Sequence, residues 1–166
     1  YTEAIEVARR ADDRRTEGLI EAAYAYLETG VLDFPGAIEH ATRAAALADA
    51  EGDRPVQLFA RFALGRAFLW NARLHDALAV LDQAAEIGGG DAAVKVEVLG
   101  WRPYVECLSL RAVVYNWLGR FREGLPSVDR LSHLLRSLGA HSDVSSPACD
   151  RIWTCWVLGD ADRARP

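Results

Sequence analysis

The chain has 166 residues, 51% of them apolar, with 24 acidic and 19 basic side chains and a formal net charge of −5. That length supports one domain with a buried core, and the apolar share excludes a disordered polymer. The acidic balance argues against non-specific binding to nucleic acid or to an anionic membrane surface, either of which calls for a basic face.

Small residues and turn signals organise the chain from its start. EAIEVARRA (3–11) reads as the second helix of an earlier unit, over residues 1–14. YLETGVLDFPGAIEHATRAAAL (26–47) lies within a unit spanning 16–51, with a turn at Gly30 and alanines at 37 and 44. The next unit, 54–87, holds Leu64, Phe68 and Leu69, then Leu74, Leu78 and Leu81, at the spacing of a helix face. Residues 88–103 form a long connection. AVKVEVL alternates as a strand does, but there is no second strand to pair with it, so an irregular segment or an extra helical turn is expected.

NWLGRFREGLPSVDRLSHLL (116–135) belongs to a unit spanning 103–138, with Gly119 at its turn and Leu131, Leu134, Leu135 and Leu138 in its second helix. Residues 139–147 form a polar loop. CWVLGDADRA (155–164) opens a truncated last unit at 147–166, with Gly159 at its turn. No apolar run reaches the ~20 residues of a membrane span. Cys107, Cys149 and Cys155 lack CxxC spacing, so no disulfide framework is expected and a reducing cytoplasm fits best. The start at Tyr1 and the end at Pro166, where a helical pattern begins, read as a segment of a longer polypeptide.

Aligning the units places a small residue near the start of every second helix: Ala4, Ala37, Ala77, Gly124 and Ala164. Small residues there let two antiparallel helices approach closely. The preceding turns need a left-handed residue, supplied by Gly30, Gly119 and Gly159, with Asn71-Ala72 standing in the middle unit. Pro35, Pro55, Pro103 and Pro147 sit near helix starts, where a missing N–H costs little. About eight helices in antiparallel pairs follow from this pattern.

Leu64-Gly65, Phe68, Leu74, Ala77 and Ala84 resemble the consensus of tetratricopeptide repeats, as do Ala112, Tyr115, Gly119 and Phe121. The third unit departs from it, with Gly124 and Leu131 where alanines are usual. The resemblance covers nearly the whole chain. It implies an all-α, right-handed superhelix (an α-solenoid) of antiparallel helix hairpins. RFALGRAFLWNARLHDALAVLDQA, EVLGWRPYVECLSLRAVVYNWLGRFREGL and RIWTCWVLGDADRA further resemble the C-terminal repeats of bacterial adenylate and guanylate cyclases and related regulators that carry a signalling ATPase domain. No cyclase or ATPase motif lies in this chain, so that resemblance implies the protein-binding arm of such a protein.

The resemblance also implies a concave groove lined by first helices. Its positions carry over to Glu17, Ile20, Tyr24, Leu27 and Glu28, then to Phe59, Phe62, Arg66, Leu69 and Trp70. They continue at Glu106, Ser109, Val113, Asn116 and Trp117, and at Cys149, Trp153, Trp156 and Val157. Aromatic side chains flanked by charge are what binding hot spots use. Arg66 would orient an acidic group, and Glu28 and Glu106 a basic one. The alternatives are burial of the tryptophans between repeats or against a further repeat beyond this chain, and their use in self-association.

Other chemistry has little support. Gly88-Gly89-Gly90 lacks the Gly-Lys-Ser/Thr ending of a phosphate loop. His133, His141, Cys149 and Cys155 are too widely spaced for a structural zinc site. Cys107 with His75 or His133 has no local signature of a nucleophile and its base. The expectation is a non-catalytic module without metal or cofactor. It would bind a protein, a peptide or another domain of its own polypeptide, but neither nucleic acid nor membrane. A homodimerisation scaffold and a small-molecule sensor of a transcriptional regulator are the alternatives.

Overall fold

A computed structural model of the chain describes residues 1–91, 94–96, 102–137 and 153–160, and the described residues are all-α. The helices are α1 (Thr2–Arg10), α2 (Arg14–Gly30), α3 (Phe34–Glu51), α4 (Arg54–Trp70), α5 (Leu74–Gly88), α6 (Pro103–Trp117) and α7 (Phe121–Ser137). Residues 153–158 are also helical. Within the long connection, 94–95 are non-helical and Val96 makes an isolated β-bridge. The rest of AVKVEVL, the loop at 139–147, Pro147 and Ala164 lie outside the described residues. No described helix is long and apolar enough to cross a membrane.

One turn geometry recurs. The next-to-last residue of each turn is left-handed: Asp12 (φ 54°), Leu32 (67°), Gly52 (66°), Ala72 (57°) and Gly119 (70°). The N–H of the last residue then returns to the carbonyl five positions back, from Asp13 to Ala8, Asp33 to Glu28, Asp53 to Ala48, Arg73 to Phe68 and Arg120 to Tyr115. This satisfies carbonyls that the helix end would otherwise leave unpaired. Gly159 and the Asp160-to-Cys155 bond repeat the geometry near the C-terminus.

The last turn residue also starts the next helix. Asp13, Asp33 and Asp53 accept from the N–H groups of Thr16, Gly36 and Val56 at 2.9, 3.1 and 3.0 Å. Arg73 and Arg120 have no acceptor to offer there, and their guanidinium groups instead pair with Asp76 and Glu123 one turn later. Because turn and cap recur in register, α2, α3, α4 and α5 begin 20 residues apart. The α2–α3 and α4–α5 hairpins are therefore offset by 40 residues. Gly30 differs from expectation: it closes α2 in helical geometry, and Leu32 takes the left-handed position.

The chain divides into two compact units, Tyr1–Cys107 and Leu108–Pro166, with the boundary inside α6. In the first, α2 packs on α3 and on α4, α4 also packs on α3 and α5, and α1 packs on α2. The small residues make these approaches close. Ala37, Ala41 and Ala44 on α3, and Ala77 and Ala84 on α5, have no exposed surface. A Cβ on Gly65 would stand 3.0 Å from Leu81. Ala4, at the same register in α1, is exposed.

α4, packed on α2, α3 and α5, carries the bulk of the core, with Val56, Leu58, Phe59 and Leu69 at 1% exposure or less. Each such side chain contributes about 1.5–3 kcal/mol of burial free energy. In the second unit Gly124 lets α7 approach Tyr115, and Leu131, Leu134 and Leu135 fill the core. Pro126 lies inside α7 and removes one helical hydrogen bond there.

Candidate functional site

On α4, Phe62, Arg66 and Trp70 are four residues apart and so share one stripe. The stripe grades from buried to open: Phe62 is buried, Arg66 is half-buried and Trp70 is 52% exposed. Tyr26 of α2 organises it. Its ring lies 6.1 Å from that of Phe62, and the Arg66 guanidinium carbon stands 4.1 Å over its centroid. This cation–π contact holds the Arg66 head group in place. Its Nη1 is enclosed and makes no hydrogen bond. Phe59, expected in the same groove, is 1% exposed and belongs to the core. The physical reason is the number of helices around α4, which leaves only a narrow strip of it uncovered.

Tyr24 and Glu28 share a different face. They are one turn apart on α2, and Tyr26 lies about 200° around the helix from each. The Tyr24 ring stacks on Tyr1 at 5.4 Å and meets the edge of His40 at 4.7 Å. Next to it is a buried charge cluster between α1, α2 and α3. Fully buried Glu21 accepts at Oε1 from Arg9 Nη2 (3.0 Å) and Arg43 Nη1 (3.1 Å). Its Oε2 is in close contact with His40 Nδ1. His40 Nε2 faces Glu28 Oε1 at 3.6 Å.

Glu28 is itself buried, and its Oε2 has no hydrogen-bond partner. Burial pushes its carboxyl above the usual glutamate range, with His40 acting in the opposite sense. The single row expected from sequence thus divides along α2, with Tyr24 and Glu28 on the His40 flank and Tyr26, Phe62 and Arg66 on the other. Ile20 lines a third feature, an open cleft of about 590 Å³ with Tyr1, Ala4, Val7 and Ala11.

Glu106 on α6 is half-buried. In the second unit Asn116 Oδ1 accepts a hydrogen bond from the buried Thr154 hydroxyl at 3.0 Å, which ties the 153–158 segment to α6. Trp117, Trp153 and Trp156 are 52%, 53% and 69% exposed, and the last two rings lie 5.4 Å apart. With Trp70, all four of these side chains are more than half exposed among the described residues. Trp101 and Cys149 lie outside the described residues.

Cys107 is fully buried and donates its thiol to the Leu58 carbonyl. Burial pushes that thiol far above its ordinary value, which is the opposite of what a nucleophile requires. His75 is exposed in the first turn of α5. Among the described residues no group of three or more His, Cys, Asp or Glu side chains could hold a metal ion.

Sequence reasoning passed over Glu21, Tyr26 and His40. A signal was present for the first: Glu17, Glu21, Tyr24 and Glu28 repeat every three or four residues, a polar stripe on a helix that has neighbours on several sides. A scan of the sequence against models of known protein families gives no match, and a search among curated proteins gives no relative of this chain.

Proposed function

We propose that this chain is a non-catalytic interaction and regulatory module, built from tetratricopeptide-like hairpins that continue as a right-handed superhelix. Its parent would be a bacterial, cytoplasmic signalling protein of the adenylate cyclase kind. The observation that carries the reading is the α4 stripe, where Trp70 stands 52% exposed one turn from an arginine braced on Tyr26. An exposed aromatic beside a positioned guanidinium is the composition of a binding hot spot. The partner that fits is a peptide or helix offering an apolar side chain to Trp70 and a carboxylate to Arg66. The left-handed turns, small crossing residues and hairpin pairing support the repeat reading, and the 40-residue period agrees with its longer-repeat variants.

A panel of acidic and neutral peptides, read by fluorescence anisotropy, tests the reading. Trp70→Ala and Arg66→Glu should each weaken binding of the acidic members by about tenfold or more, equivalent to about 1.4 kcal/mol. Helical circular dichroism should be unchanged. Loss of helicity with either substitution would assign the stripe to the core instead. A second reading, self-association, is favoured by the exposed Trp153–Trp156 pair. Light scattering that shows a dimer, reduced to monomer by Trp156→Ala, would support it.

A further inference from the structure

The cluster between α2 and α3 carries a consequence for protons that follows from donor and acceptor counting. Glu21 Oε1 receives two guanidinium donors, from Arg9 of α1 and Arg43 of α3, an arrangement suited to the carboxylate. A carboxylate oxygen can only accept, so the contact at Oε2 requires His40 Nδ1 to carry a hydrogen. That assigns the imidazole's tautomer. Nε2 is then either a bare lone pair or the second N–H of an imidazolium.

Nε2 faces Glu28 Oε1 at 3.6 Å, inside a side-chain environment only 10% exposed at Glu28. A bare lone pair against a carboxylate there would be repulsive on both sides. Glu28 Oε2 has no donor to offset it. The remaining charges nearest Glu28 do not help: Asp33, Glu21 and Glu39 are all acidic. Glu17 on α2 is engaged by Arg9, and the Tyr24 ring lies 4.7 Å from that of His40, inclined at 60°. One proton between Nε2 and Oε1 resolves the conflict, whether it rests on the imidazole or on the carboxyl.

We propose that Glu21–His40–Glu28 is a proton-operated latch between α2 and α3, closed while one proton is held between His40 and Glu28 and loosened when that proton leaves. The latch sits where α2 hands over to α3, since the Glu28 carbonyl also receives the Asp33 N–H that forms the turn. Release would therefore loosen the first turn of α3 and the Tyr24 stack beside it. The sign follows from linkage. Burial raises the Glu28 carboxyl, so the folded state keeps that proton to higher pH than the unfolded chain does; stability is full at lower pH and declines as pH rises through the release. One such proton changes the folding equilibrium constant by up to about tenfold per pH unit within that interval.

Urea unfolding of the 166-residue chain from about pH 4 to about pH 9, spanning the ordinary glutamate and histidine range, tests this. The wild-type equilibrium constant should fall with rising pH by up to about tenfold per unit over part of the range. Glu28→Gln places a permanent amide donor opposite Nε2. It should flatten that decline and match or exceed wild-type stability at the alkaline end. Parallel wild-type and Glu28→Gln profiles would overturn the proposal. Nitrogen NMR of the wild-type imidazole gives an independent reading that no variant's folding can obscure. Nδ1 should carry its hydrogen throughout, as the contact with the Glu21 carboxylate requires. A bare Nδ1 with a protonated Nε2 at alkaline pH would equally overturn it.

Discussion

Leu32 and Ala72 hold left-handed backbone conformations that glycine occupies in the turns at 52 and 119. A side chain with a Cβ is strained there by about 1–2 kcal/mol. Leu32 is 73% exposed, so little packing offsets that strain. Leu32→Gly and Ala72→Gly should each stabilise the chain by about 0.5–1 kcal/mol after the added flexibility of the unfolded state, seen as higher urea midpoints. Equal or lower midpoints would show that neighbours stabilise the strained residue. Cys107 offers a second test at the same scale. Its raised thiol and full burial predict that a thiol reagent labels it only as fast as the chain opens. Peptide mapping after labelling would identify it, and rapid modification under native conditions would contradict the packing described.

Between helices, the decisive quantity is the distance at which backbones cross. Gly88, at the end of α5, lies so close to Tyr104 that an added Cβ would overlap the ring. The ring is buried, so it cannot swing aside at low cost. Gly88→Ala should destabilise by about 1–3 kcal/mol, measured by chemical unfolding. The helix starts offer a milder case: Asp33→Ala removes the acceptor for Gly36 N–H and should cost about 1 kcal/mol. Much of this was legible beforehand. Ala37, Ala44, Ala77, Ala84 and Gly124 were singled out by recurrence and are buried, whereas Ala4, singled out in the same way, is exposed. Gly30 misled because a glycine near a helix end need not be the residue that turns it. The bond from Asp33 N–H to the Glu28 carbonyl places the left-handed residue at Leu32 instead.

At the scale of the whole molecule, burial is uneven within the first unit. α4 contributes the largest buried side chains and packs on α2, α3 and α5, whereas α1 packs on α2 and keeps most of its surface. Amide hydrogen exchange should therefore be slowest in α4 and fastest in α1, since local opening costs least where few apolar contacts break. Similar protection in both would indicate that the unit opens only as a whole.

Helix identity and the approximate turn positions were determined by the sequence alone, because each depends on neighbours three to seven positions away along the chain. Surface exposure of Trp70, Trp117, Trp153 and Trp156, and the burial of Phe59, depended on which helices stand beside each face. The separation of Tyr24 and Glu28 from Arg66, and the meeting of Glu21 with His40, arose only when α1, α3 and α4 closed around α2. A periodic pattern shows which residues share a face of one helix. It does not say what that face meets, because the contacts join positions 12 to 40 residues apart in sequence and are set by packing.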